Sequence, residues 1–256
     1  MQNYPPPGQG YPPPGGAYAQ PPMPPKKSKT PWIIAGVGCL VLIVVGVIAL
    51  IGGGLYLGSK VQSTQTKNVP PPTPAAGTKQ YVSTRAGLSS ELAEHFVDFS
   101  FNYPEDWNVV PNQTKNFVKV ERSEDGTTLE NFAVGWISAT GTAFDKQLMP
   151  QLAKQLTSQF SQSFADFEKV SEGETKIGPY EAYEVKFTAT LKGTQQGDAD
   201  VYGRVALLPP PSGEKKGVAL IMLTTNLAPE IKSVDDVGVK GELPIILDSF
   251  RFGAKE

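Results

Sequence analysis

The chain of 256 residues has one cysteine and one histidine, and none of its first 25 residues is charged. With Cys39 alone, no internal disulfide can form, so any folded part stands on its core. His95, beside Glu94, leaves a His-based triad without alternative candidates, and its place next to an acid reads as ordinary surface. No G-x-S-x-G, Walker or G-x-G-x-x-G motif occurs in the soluble region. Basic charge is also short: beyond Ser59, twenty basic residues face twenty-five acidic ones, a net of about −5. That balance lacks the footprint of a nucleic-acid binder.

What is present is unevenly distributed. Ten of the first 25 residues are proline, and "YPPPG" at Tyr4–Gly8 recurs at Tyr11–Gly15. Proline runs fix φ and remove amide donors, so residues 1–30 are expected to form a disordered tail with extended polyproline character. A solvated tail is the plainer reading; a docking strip for a proline-recognition domain is the alternative.

Residues 31–57, "PWIIAGVGCLVLIVVGVIALIGGGLYL", carry no charge over 27 positions. About 20 apolar residues suffice to cross a hydrocarbon core, so this segment is expected to be one transmembrane helix. Lys26, Lys27 and Lys29 directly before it predict a cytoplasmic N-terminus and an extracytoplasmic remainder. Trp32 and Tyr56 fall at the two interfaces. The run is too long and starts too late for a cleaved signal peptide, and Cys39 lies too deep within it for a lipoprotein signal. Gly54 and Gly58 form a GxxxG, which allows weak self-association, although glycine-rich spans match that pattern by composition alone.

Residues 58–91 are polar and small, with "VPPPTPAAGT" at Val69–Thr78, and read as a semi-rigid linker. The folded domain is expected over 92–256. In "YEVKFTATL", Tyr183, Val185, Phe187, Ala189 and Leu191 alternate with Glu184, Lys186, Thr188 and Thr190, a strand with one buried and one wet face. Asn131–Ala139 and Gly217–Thr224 are apolar on both faces and belong mid-sheet. Phe117–Arg122, Val201–Leu208 and Glu168–Ile177 are further strand candidates. Phe144, Leu148, Leu152, Leu156 and Phe160 draw a helical stripe, with Pro150 either kinking it or marking its first turn. Leu243, Ile246, Leu247 and Phe250 draw a second, shorter one. The expected fold is α+β, an antiparallel sheet of about six strands with helices packed on its faces.

In "VDFSFNYPEDW", Val97, Phe99, Phe101 and Tyr103 share a strand face, Pro104–Asp106 supply a turn and Trp107 begins a return strand. Three aromatics on one sheet face read as core in preference to a stacking platform. "FSFNYPEDW" resembles the opening hairpin of PsbP-like domains, "IGPYEAYEVKF" (Ile177–Phe187) is similar to a later strand of that family, and "ILDSFRF" (Ile246–Phe252) to its closing helix. The resemblance implies the fold shared by PsbP, DcrB-type envelope proteins and Ran-binding Mog-type proteins, here on a single-pass anchor. It implies no activity, and neither PsbP's metal positions nor the Mog-type contact surface can be carried onto this sequence.

No catalytic, cofactor-binding or metal residue is therefore nominated, and no cofactor is expected. Asp198 and Asp200 in "QGDADV" lack the glycine and distal glutamate of an EF-hand loop and read as a solvated hairpin tip. The expectation is a membrane-anchored, non-catalytic extracytoplasmic accessory module that binds another envelope protein. The alternative is a binder of a small apolar molecule or lipid, using Trp136, Tyr180, Tyr183 and Tyr202 around a pocket.

Overall fold

The computed structural model describes residues 74–110, 115–139, 141, 145–194, 196–211 and 214–253. The tail 1–30, the segment 31–57 with Cys39, Gly54 and Gly58, and residues 58–73 of the linker lie outside them. No helix among the described residues is long and apolar enough to cross a membrane.

Among the described residues ten strands form two antiparallel sheets. The larger has the order β3-β4-β5-β9-β8-β7-β6. Its strands are β3 (Asn108–Val109), β4 (Val118–Glu124), β5 (Thr127–Ser138), β6 (Ala165–Ile177), β7 (Tyr180–Thr194), β8 (Gly197–Leu208) and β9 (Lys216–Thr225). The smaller sheet sets β2 (Phe99–Pro104) between β1 (Thr78–Val82) and β10 (Arg251–Phe252). The large sheet thus has seven strands where about six were expected, the extra one being the two-residue β3.

The sheet register sorts the core into two layers. Asn131, Leu223, Gly203 and Phe187 are lateral neighbours on one face. Helix α2 (Asp145–Ser163) covers the β6–β7 end of that face, with the Phe160 and Phe187 ring centroids 5.0 Å apart. Gly203 is required there, because a Cβ at this position would sit 2.1 Å from the Phe187 ring. Phe132, Met222, Arg204 and Lys186 are neighbours on the opposite face. Over the β5 end of it lie the small sheet, where Phe101 meets Phe132 edge-on at 5.1 Å, and helix α3 (Leu243–Ser249).

The aromatics of "VDFSFNYPEDW" are core: Phe99 and Phe101 are fully buried, Tyr103 and Trp107 nearly so. Two expectations need correction. The turn after Pro104 does not return the chain beside β2; it carries the chain across to β3, which pairs with β4 in the large sheet. Residues 78–82 are not linker. β1 pairs with β2 from Thr78↔Pro104 to Val82↔Ser100, and Tyr81 stacks on Phe101 at 5.3 Å. A proline-rich flank masked a five-residue strand whose only apolar members are Tyr81 and Val82.

Helix α1 (Ser90–Glu94) spans one turn and buries Leu92. In α2, Pro150 lies five residues past the first, beyond the first turn, so it is neither a terminus nor costless: it removes the amide that would bond the Lys146 carbonyl. Of the expected stripe, Leu152, Leu156 and Phe160 are buried, joined by Met149 and Ala153, while Leu148 is half-buried and Phe144 lies outside the described residues. In α3, Leu243, Ile246, Leu247 and the following Phe250 are buried as the spacing predicted.

The expected wet face of β7 is mostly covered. Residues 231–240, with a 3-10 turn at Val234–Asp236, lie across it because Ile231, Val234 and Val237 bury at intervals of three.

Candidate functional site

The residues singled out in the sequence are dispersed. His95 lies flat on Trp136 with Lys216 beside it, half-buried where open surface was expected. Asp198 is spent on its own turn, accepting from the Gly193 amide (3.1 Å) and from Lys192 (3.1 Å), while Asp200 accepts from the Asn226 side chain (3.1 Å). No group of three or more potential ligands that could hold a metal occurs among the described residues.

The four aromatics proposed to line a pocket do not converge. Trp136 is 3% exposed. Tyr180 packs edge-on against Phe250 and Phe252, and its hydroxyl accepts from the Phe252 amide (3.0 Å). Tyr202 covers a small satellite core of Leu129, Ala228 and Ile231. Tyr183 borders a cleft with Met149, Lys146, Glu174, Glu181, Ala182 and Pro209, and its volume is about 20 Å³. A cavity of that size holds about one water.

The most unusual chemistry lies at the β4–β5 pair, where the sequence reading nominated nothing. Register places Arg122 opposite Glu130, so both side chains leave the same face of the large sheet. The Glu130 side chain is fully buried, and its Oε2 is 3.2 Å from the Arg122 guanidinium. Arg122 is also hydrogen-bonded to Glu230 and lies 3.6 Å from Glu242 Oε2. Trp107 closes the group, its indole N–H donating to Glu242 Oε2 at 2.6 Å. One guanidinium therefore faces three carboxyl groups brought from β5, from the 226–242 segment and from the start of α3.

Beyond that ion pair the Glu242 backbone amide approaches Glu130, although neither carboxyl oxygen receives a well-aligned hydrogen bond. Burial pushes its pKa up to about 7; the Arg122 charge opposes this, while Glu230 reinforces it. Gly241, at φ +71°, lies directly over the acid, and a Cβ there would fall 2.5 Å from Glu130 Oε1. With no exposure, Glu130 meets no substrate, and no nucleophile joins the group. Its capacity is proton binding and segment anchoring.

A second charged group lies under the 3-10 turn. Arg204 holds Glu184 at 2.8 Å and donates to the Val237 carbonyl (3.4 Å), and Lys186 reaches Asp235 at 2.8 Å.

A signal for the first group was available in the sequence. "TTLENFAVGWIS" places an acid inside a strand apolar on both faces. Starting that strand at Asn131 left Glu130 outside it.

The sequence matches no family model and no curated protein. Among solved structures the chain is similar to the solution structure of cyanobacterial PsbP from Synechocystis, at 14% identity over 70% of this chain and 94% of that one, with a TM-score of 0.42. LpqN of Mycobacterium tuberculosis, described as involved in cell envelope biogenesis, is similar at 9% identity over 68% of this chain and 90% of that one, TM-score 0.38. The Ran-binding protein Mog1p of Saccharomyces cerevisiae is similar at 13% identity over 69% and 95%, TM-score 0.38. At these identities and scores no property of those proteins passes to this chain by likeness, and the architecture rests on the strand order and packing described above.

Proposed function

We propose that the chain is a non-catalytic accessory module, anchored through residues 31–57 with its N-terminus in the cytoplasm, whose extracytoplasmic domain binds another envelope protein. The observation that carries this reading is the dispersal of the aromatics. Trp136, Tyr180 and Tyr202 are spent on packing, and the cleft beside Tyr183 has room for about one water, which supports a protein surface over a buried apolar ligand. Exposed apolar side chains are the complementary feature: among the described residues Val239 is the most exposed at 65%, ahead of Val170, Val109 and Ile245.

The experiment places a photo-crosslinking residue at Val239, and as a control at Val170 on β6, in the full-length chain in intact cells. One discrete adduct from Val239 and none from Val170 is expected. Background from both positions, together with a stoichiometric lipid in the native mass spectrum of the purified chain, would overturn the reading in favour of the lipid binder.

A further inference from the structure

Residues 226–242 run from the end of β9 to the start of α3 and close over one face of the large sheet. They are held in two chemically different ways. One is apolar: Ala228, Ile231, Val234 and Val237 are buried. The other is ionic, and its only fully buried member is Glu130 on the sheet beneath.

We propose that Glu130 is a proton-operated catch for this segment, holding it closed while the carboxyl is protonated and loosening it when the carboxyl ionises. The groups facing Glu130 set the balance. From β4 comes the Arg122 cation, and from the covering segment come the Glu230 and Glu242 carboxylates, together with the Glu242 backbone amide, which favours the ionised form and is outweighed by burial. From β9 the register neighbour is the uncharged Thr224, and the Trp107 indole reaches only Glu242. With Glu130 neutral, Arg122 serves two carboxylates that are each about 30% exposed and therefore partly hydrated. With Glu130 ionised, the same guanidinium faces three, one of them cut off from water. Glu230 lies on the covering segment and Glu242 at its junction with α3, whereas Glu130 belongs to a strand paired on both sides, so the repulsion would be relieved by the segment lifting. Gly241 contributes to the close approach, because a side chain there would run into the Glu130 carboxyl.

The pKa of about 7 in the closed state, against 4.5 for a free glutamate, gives the sign. A carboxyl raised on closing contributes stabilisation that is fully present below the free pKa and is lost as pH rises through the closed-state value. The opening equilibrium of 226–242 should rise about tenfold per pH unit between roughly pH 5 and 7 and level off above. His95 acts in the opposite direction, since desolvation and then Lys216 lower its pKa, but it faces Trp136 and not this segment. The catch is a property of the folded domain and does not rest on the partner-binding reading.

The test is hydrogen exchange of the full-length chain, followed on peptides covering 226–242 from pH 5 to 8.5 and corrected for intrinsic exchange. Protection falling with pH up to about 7 in the native sequence, and flat in Glu130→Gln, is the expected result. Unchanging protection in the native chain, or an undiminished slope in Glu130→Gln, would overturn the proposal. Should Glu130→Gln fail to fold, the infrared carbonyl band of a protonated carboxylic acid decides on the native chain. Its presence at pH 6 and loss by pH 8.5 supports the catch, and its absence at pH 6 rejects it.

Discussion

His95 lies on Trp136 with ring centroids 3.6 Å apart and planes 13° from parallel. The stack joins the end of α1 to β5 and replaces water on one face of the imidazole. Burial first, and the nearby Lys216 second, lower the histidine pKa. Its NMR titration midpoint should therefore fall below 6.5. Because the folded pKa is depressed, the stability that His95 contributes is present above 6.5 and is lost as pH falls through the folded value. A midpoint at or above 6.5 would show that the stack does not desolvate the ring.

Trp136→Ala removes a buried indole from the middle of the large sheet and leaves His95 without its platform. A cost of about 3 to 5 kcal/mol is expected from denaturant unfolding of the full-length chain. A near-silent substitution would place Trp136 at the surface and return it to the list of ligand-stacking candidates.

Gly203→Ala should destabilise by overpacking, on the order of 1 to 3 kcal/mol, because the new methyl group meets the Phe187 ring. The double variant Gly203→Ala with Phe187→Leu should recover part of that loss, since the two positions share one volume. Additive losses in the double-mutant cycle would show that the glycine is needed for its backbone and not for the ring.

The N-terminal edge of the folded unit can be located by truncation. A chain starting at residue 74 retains β1 and should unfold in one cooperative thermal transition. One starting at Leu92 exposes the edge of β2 and removes Tyr81 from Phe99 and Phe101, so it should melt at clearly lower temperature or aggregate. Equal melting temperatures would demote β1 to an ornament.

Membrane orientation is checked by cysteine labelling. With Cys39→Ala as background, a single cysteine replacing Ser63 should react with an impermeant maleimide on intact cells, and one replacing Ser28 should not. The reverse pattern would invert the proposed topology.

Much of the architecture was legible because its signals are local. Period-two alternation in β7 and the i, i+3, i+4 stripe of α3 depend only on which face is dry, and the sheet and helix formed where they predicted. The small sheet was not legible. β1 offers Tyr81 and Val82 as its apolar content, and its partner lies about twenty residues away behind a helix. Trp107 shows a second limit. Turn chemistry at Pro104–Asp106 predicts a change of direction but not which sheet receives the chain. The Arg122 group was the least legible, because its members are separated by up to 135 residues and only Glu130 is unusual in its own neighbourhood. The alternation in "FSFNYPEDW" located the core aromatics, and the resemblance carried by the same structural residues said nothing about a site.

The placement of β10 has a consequence for how the domain is made. Arg251 and Phe252 pair with Ser100 and Phe99, so about 150 residues of chain separate the two sides of one ladder. Until Phe252 has emerged from the ribosome, one flank of β2 stays unpaired and Phe250 cannot reach Phe99. That pairing closes late, because loop closure over that span is slow compared with local hairpins. If residues 31–57 guide the chain across a membrane, the nascent domain arrives on the far side with an open strand and exposed phenylalanines, a state for which a holding chaperone has an evident use.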